Sequence, residues 1–176
     1  MDIPAISDQL SPAPQAFPDC CLGLSSTLIA HLASRLPPRP QFTLSVGCGS
    51  GLLEALLAHR HPEVPIRGIE VASSVNRYIA EPDLDVVGGT WDLHASAPHA
   101  GAWMFVYPRE PKLIAKYIES YGDQGAVETI LWLGPRADWA DYEPCFRHSS
   151  FSDVTLPDEV GLMPFEMLAI MKRRTV

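Results

Sequence analysis

The chain has 176 residues, 47% of them hydrophobic, with a formal net charge of −8 and a pI near 5.1. That is enough apolar content for one domain with its own core. The acidic balance argues against a nucleic-acid backbone as the main partner, because phosphate binding needs clustered Lys and Arg. The basic run Lys172-Arg173-Arg174 reads as a solvated strand end.

Four cysteines, Cys20, Cys21, Cys48 and Cys145, form no CxxC pair and no metal-ligand spacing. Adjacent Cys20 and Cys21 are poorly placed to bridge each other. Free thiols, no metal and a reducing cytoplasm are therefore expected. No apolar run approaches the ~20 residues of a membrane span. The opening MDIPAISDQL lacks the basic and apolar regions of a secretory signal.

In chain order, residues 1–19 carry Pro4, Pro12, Pro14 and Pro18 with little periodicity, and predict an irregular arm folded over the domain. Residues 20–176 then read as a single domain. Ser25, Ser26 and Thr27 are candidate caps for a helix whose apolar positions are Leu28, Ile29, Leu32, Ala33 and Leu36. Pro37 and Pro38 stop it.

Phe42–Leu53 is the organising stretch. Phe42, Leu44 and Val46 alternate with polar residues as in a strand; Gly47, Gly49 and Gly51 form a turn; Leu52, Leu53, Leu56 and Leu57 follow at helical spacing. Ile66–Val71 is a second strand, residues 72–79 a short helix candidate, and Leu84–Val87 a third strand. Residues 90–100 are irregular. Ala102–Tyr107 is a continuous apolar run, as in a strand covered on both faces. Pro111 opens a helix that Gly122 closes. Val127–Leu133 is a fifth strand, Asp138–Phe146 a weak helix, and Val154–Leu156 and Phe165–Lys172 a final antiparallel pair. The alternation implies an α/β fold with a mostly parallel sheet between two helix layers. In such sheets a ligand sits beyond the carboxyl ends of the strands, where 47–51, 70–72, 88–92 and 107–111 converge.

A strand that turns through glycines into a helix offers backbone N–H groups to a ligand. A dinucleotide fingerprint would need a third glycine at position 52, which is Leu52; the pattern here is G-x-G-x-G. Glu70 ends the second strand, where a carboxylate can accept hydrogen bonds from two ribose hydroxyls.

These residues, V-G-C-G-S-G at 46–51 and I-E-V at 69–71, resemble the class I S-adenosylmethionine-dependent methyltransferases, over about residues 42–174. The resemblance implies a minimal three-layer αβα Rossmann-like fold: seven strands, mostly parallel, with a final antiparallel strand. It implies S-adenosyl-L-methionine as cofactor. Gly47, Gly49 and Gly51, with Cys48 packed inside their turn, would approach its methionine part. Glu70 would hold the ribose, Val71 would flank the adenine, and Thr90, Trp91 and Asp92 would meet the adenine edge. Tyr107 would lie near the sulfonium.

The chain also departs from that family. Ser45 stands where an acid is common. The helix between the third and fourth strands is nearly absent. No substrate lid is evident unless residues 1–36 supply one. Tyr107-Pro108-Arg109-Glu110-Pro111 replaces the Asn/Asp-Pro-Pro-Tyr of amino-group methyltransferases. No catalytic base stands out; Tyr107, Glu110 and His94 are the weak candidates. Glu110 better suits a helix entry, and His94 and His99 better suit a solvated loop. The leading expectation is a methyltransferase acting on a small molecule by direct transfer from the sulfonium, without nucleic acid or membrane as partner. The alternative is a non-catalytic S-adenosylmethionine-binding accessory or regulatory protein. A homodimer or a partner-protein complex would cover apolar surface that a bare core leaves open.

Overall fold

The computed structural model describes residues 2–71, 73–89 and 92–175. Its main sheet contains seven strands: β3 (Thr43–Val46), β4 (Ile66–Glu70), β5 (Leu84–Val86), β6 (Ala102–Val106), β7 (Thr129–Pro135), β8 (Asp153–Thr155) and β9 (Glu166–Lys172). The order is β5-β4-β3-β6-β7-β9-β8. All neighbouring pairs are parallel except those made by β9, which runs antiparallel to both β7 and β8.

Alternation along the strands divides the core into two. From β6, Ala102 and Met104 join one cluster, whereas Trp103 and Phe105 join the other. Successive side chains of a strand point to opposite faces, so a wholly buried strand feeds both. The first face is covered by α2 (Ser26–Arg35) and α3 (Leu52–Arg60) through Leu28, Ile29, Leu32, Leu53 and Leu56. The second is covered by α4 (Pro111–Tyr117) and α5 (Trp139–Arg147) through Ile114, Tyr117, Tyr142 and Phe146. Tyr117 meets Trp103 and Phe105 edge-on at 5.5 and 5.8 Å between ring centroids, a favoured aromatic geometry. The three-layer αβα arrangement and the antiparallel final strand agree with the expectation.

Residues 1–19 differ from it. They form α1 (Ile3–Gln9) and β1 (Gln15–Phe17), and β1 pairs antiparallel with β2 (Cys20–Leu24). Pro4 lies in the first turn of α1, where proline is tolerated, and the Asp2 carboxylate accepts from the Ala5 N–H at 3.0 Å as a cap. The helix is too short to show periodicity. Tertiary contacts hold it: Ile6 is buried, and Arg60 donates to the Ser7 hydroxyl and carbonyl oxygens at 2.8 and 2.7 Å. The helix expected over 72–79 is reduced to a 3₁₀ turn, Ser73–Val75. The cap of α2 is Ser25, whose hydroxyl accepts from the Leu28 N–H.

The direction of strand order reverses at β3, with β4 on one side and β6 on the other. The reversal opens a crevice at the carboxyl ends of these strands.

Candidate functional site

A cleft of about 740 Å³ lies at that reversal. Gly47, Cys48, Gly49, Glu70, Val71, Asp92, Tyr107 and Glu110 all line it, so the structure brings together most of the residues singled out in the sequence. Gly51 lies just behind, capping α3. Thr90 and Trp91 fall outside the described residues. His94 lines a separate, shallower hollow beside the cleft. Its Nδ1 is 2.6 Å from the Ser96 hydroxyl and its Nε2 3.7 Å from Asp85. His99 is exposed and lines neither.

The glycine turn has left-handed backbone at Gly47 (φ 73°), Gly49 (φ 58°) and Gly51 (φ 80°), a region that L side chains avoid. A Cβ on Gly51 would fall 2.5 Å from Ile79, so this glycine is needed for packing as well. A Cβ on Gly47 or Gly49 would meet nothing within 4 Å. Their bare faces look into space that a side chain would fill.

The turn uses its own donors. The N–H groups of Gly47 and Cys48 both donate to the Ile69 carbonyl, at 2.9 and 3.2 Å, and that of Gly51 donates to the Cys48 carbonyl at 3.0 Å. The Gly49 N–H donates to one Glu70 carboxylate oxygen at 3.0 Å, and the Val71 N–H donates to the other at 2.8 Å. These donors are therefore not held open for a diphosphate. The turn instead presents a carboxylate edge, and each Glu70 oxygen keeps a lone pair for a further hydroxyl.

Charge around the cleft follows the same sense. Asp19, Glu54, Glu70, Asp92 and Glu110 line it, against Arg109 as the single lining Arg or Lys among the described residues. Arg109 and Glu110 are exposed at the rim. Burial pushes the Cys20 thiol up to about 12, and it raises the Cys48 thiol too. Both stay protonated at neutral pH, and neither is a nucleophile there.

The opposite wall is built by segments far apart in sequence. Tyr107 follows β6 with φ 47° and donates its hydroxyl to Glu166 at 2.5 Å. Desolvation by burial, reinforced by Glu166, raises the Tyr107 phenol above its ordinary value, so it stays neutral. Glu166 is 1% exposed and also accepts from the Gly23 N–H of β2 at 3.1 Å. The tip of the N-terminal hairpin reaches the glycine turn: the Ser50 hydroxyl donates to the Asp19 carbonyl at 2.7 Å. The Asp19 carboxylate accepts from Tyr78 and Arg77 at 2.9 and 3.1 Å. Asp19, the last residue of the segment expected to be an irregular arm, thus forms a wall of the cleft together with Cys20 and Cys21 that follow it.

Sequence reasoning missed Asp19, Glu54 and Glu166. Glu54 carried a visible signal, a carboxylate among four leucines in LLEALL. Glu166 and Asp19 carried none, because their partners are distant in sequence.

No protein-family model and no curated protein matches the chain. Solved structures do. The S-adenosylmethionine-dependent methyltransferase SibL, in its apo form, superposes with a TM-score of 0.59 at 17% identity, over 85% of this chain and 54% of SibL. The fold is that of the class I methyltransferases. Human N-acetylserotonin methyltransferase in complex with SAM matches with a TM-score of 0.58 at 12% identity, over 85% of this chain and 51% of that one. The 23S rRNA methyltransferase ErmE matches at 0.56 and 18% identity, over 86% and 69%. The chain spans about half the length of SibL and of the human enzyme. One methyltransferase fold thus serves proteins named for a small molecule and for an RNA, and the likeness does not choose between such substrates. Among the described residues no helix is long and apolar enough to cross a membrane.

Proposed function

We propose that this chain is an S-adenosylmethionine-dependent methyltransferase that acts on a small molecule by direct transfer. The observation that carries the reading is the pairing of two bare, left-handed glycines, Gly47 and Gly49, with a Glu70 carboxylate fixed beside them at the sheet reversal. The open Cβ positions fit a ligand lying against the backbone. The carboxylate edge fits ribose hydroxyls, and the absence of an anion cradle at these glycines disfavours a dinucleotide. On this reading Gly47, Gly49 and Gly51 shape the methionine end, Glu70 holds the ribose, and Val71 and Asp92 border the adenine. When bound, the cofactor supplies an activated methyl group on a sulfonium.

The chain's own part is alignment and exclusion of water, since transfer between a sulfonium and a poised nucleophile needs geometry above all. Tyr107 is held neutral and fixed by Glu166, which suits a positioning group. Glu110 at the rim is free to face an acceptor. An acidic cleft with a lone arginine favours a small neutral or cationic acceptor over an RNA. A second reading, a binding protein that does not transfer, is favoured by the engagement of Glu166, the buried carboxylate beside Tyr107, with the Tyr107 hydroxyl and the Gly23 N–H rather than with the cleft.

The test is methyl transfer from methyl-labelled S-adenosylmethionine to pooled small metabolites and, separately, to total RNA. Label on a small molecule is expected. Label on RNA alone would overturn the substrate class, and no label despite tight cofactor binding would favour the second reading. Glu70→Ala should weaken S-adenosylmethionine binding by about 1–3 kcal/mol, the range for a hydrogen bond to a charged group. Unchanged binding would remove Glu70 from the site.

A further inference from the structure

Glu54 lies in the first turn of α3, directly after the glycine turn, and lines the cleft. It is 4% exposed. One of its carboxylate oxygens accepts the Ser45 hydroxyl at 2.6 Å. The titratable groups acting on it are Glu70 from β4, Cys20 from the hairpin and Cys48 from the glycine turn. None of them is a cation. Arg109 stands at the exposed rim and is not among them.

A carboxylate buried against a hydroxyl, a second carboxylate and neutral thiols is unfavourable as an anion. Two things relieve it: a proton, or a cation brought from outside the protein. Burial pushes its carboxyl up to about 7, with Glu70 adding to the rise and the Ser45 hydroxyl and its own backbone N–H opposing it. The free protein therefore takes the proton below neutral pH. The departure at position 45 gains a meaning here. Serine stands on the strand where an acid was expected, and its hydroxyl meets a carboxylate delivered from the helix.

We infer that Glu54, oriented by Ser45, is the anchor for a cationic group of the ligand in this cleft. Resting on the function proposed above, that group is the ammonium of the methionine part. Binding then exchanges one cation for another: Glu54 gives its proton to solvent and faces the ammonium as a carboxylate. The anchor serves the ligand end that every cofactor form shares, so it fixes position and does not take part in transfer.

Calorimetric titration of the full chain tests this, with S-adenosylmethionine, S-adenosylhomocysteine and adenosine as probes. The work stays at or below about pH 7, where the ligand ammonium remains charged. Both amino-acid-bearing ligands should release a proton near pH 6, read from the dependence of heat on buffer ionisation enthalpy. Their affinity should rise about tenfold between about pH 5.5 and 7. Glu54→Gln should abolish proton release and weaken both by roughly tenfold or more at pH 7, leaving adenosine binding unchanged. The double variant S45D/E54Q returns the carboxylate to the strand and should restore affinity, which separates loss of the anchor from loss of folding. Glu54→Gln binding all three ligands as the parent does, with proton release intact, would overturn the anchor alone. A parent protein that binds none of them would overturn the cofactor reading and the anchor with it.

Discussion

Two nearly fully buried carboxylates stand around the cleft, Glu54 at the glycine turn and Glu166 behind Tyr107. Glu166 is matched inside the protein, accepting from the Tyr107 hydroxyl and from the Gly23 N–H. It joins the ends of β6 and β9 to the N-terminal hairpin. Glu54 has the Ser45 hydroxyl and acidic neighbours. The same side chain at similar depth is thus a completed tie in one place and an incomplete site in the other. What distinguishes them is where the donors come from and what else is near: Tyr107 and Gly23 bring two distant segments to Glu166, whereas Glu54 has Ser45, its own backbone N–H and the Glu70 carboxylate as a like charge.

The largest effect that would break this contrast concerns the tie. Glu166→Ala strands the Tyr107 hydroxyl and the Gly23 N–H, and should cost about 3 kcal/mol or more in urea unfolding. An unchanged midpoint would mean that these donors find other partners. Glu54→Gln should behave oppositely. The raised carboxyl of Glu54, about 7 against 4.5 unfolded, contributes stability that is complete below the unfolded value and is lost as pH rises through 7. Without ligand, the parent should therefore lose up to about 3 kcal/mol relative to Glu54→Gln between those limits. Parallel stability–pH curves for the two proteins would show that the carboxyl is not perturbed.

The glycines sharpen the comparison at smaller magnitude. Gly51→Ala adds a Cβ 2.5 Å from Ile79 and should cost about 2 kcal/mol or more. Gly49→Ala meets no neighbour and should cost about 1 kcal/mol in thermal unfolding, yet it should remove most cofactor affinity. Equal stability losses would erase the distinction between a packing glycine and a ligand-facing one. Smallest is Asp19→Ala. Its ion pair with Arg77 is exposed on the arginine side and contributes little, and the Tyr78 hydroxyl bond lost with it is part-buried, so about 1 kcal/mol of stability is expected to change.

The sheet was legible because its signals are local. Period-two and continuous apolar runs placed all seven strands within a few residues, and the glycine turn with Glu70 located the crevice. What escaped depends on contacts between distant segments. Proline-rich residues 1–19 read as irregular, although Pro4 sits in the first turn of a helix and a three-residue strand pairs with its neighbour. Such short elements owe their order to what they pack against. Asp19 and Glu166 become site residues only when the hairpin closes over the sheet. His94 shows the converse: its position in the chain suggested a base, and Ser96 and Asp85 hold it outside the cleft.

The central claim is that this cleft takes S-adenosylmethionine. Calorimetric titration of the purified chain with S-adenosylmethionine, S-adenosylhomocysteine and NADH tests it most directly. Saturable, roughly micromolar binding of the first two and none of NADH is expected. No binding of either sulfur ligand, or binding of NADH in their place, would contradict it.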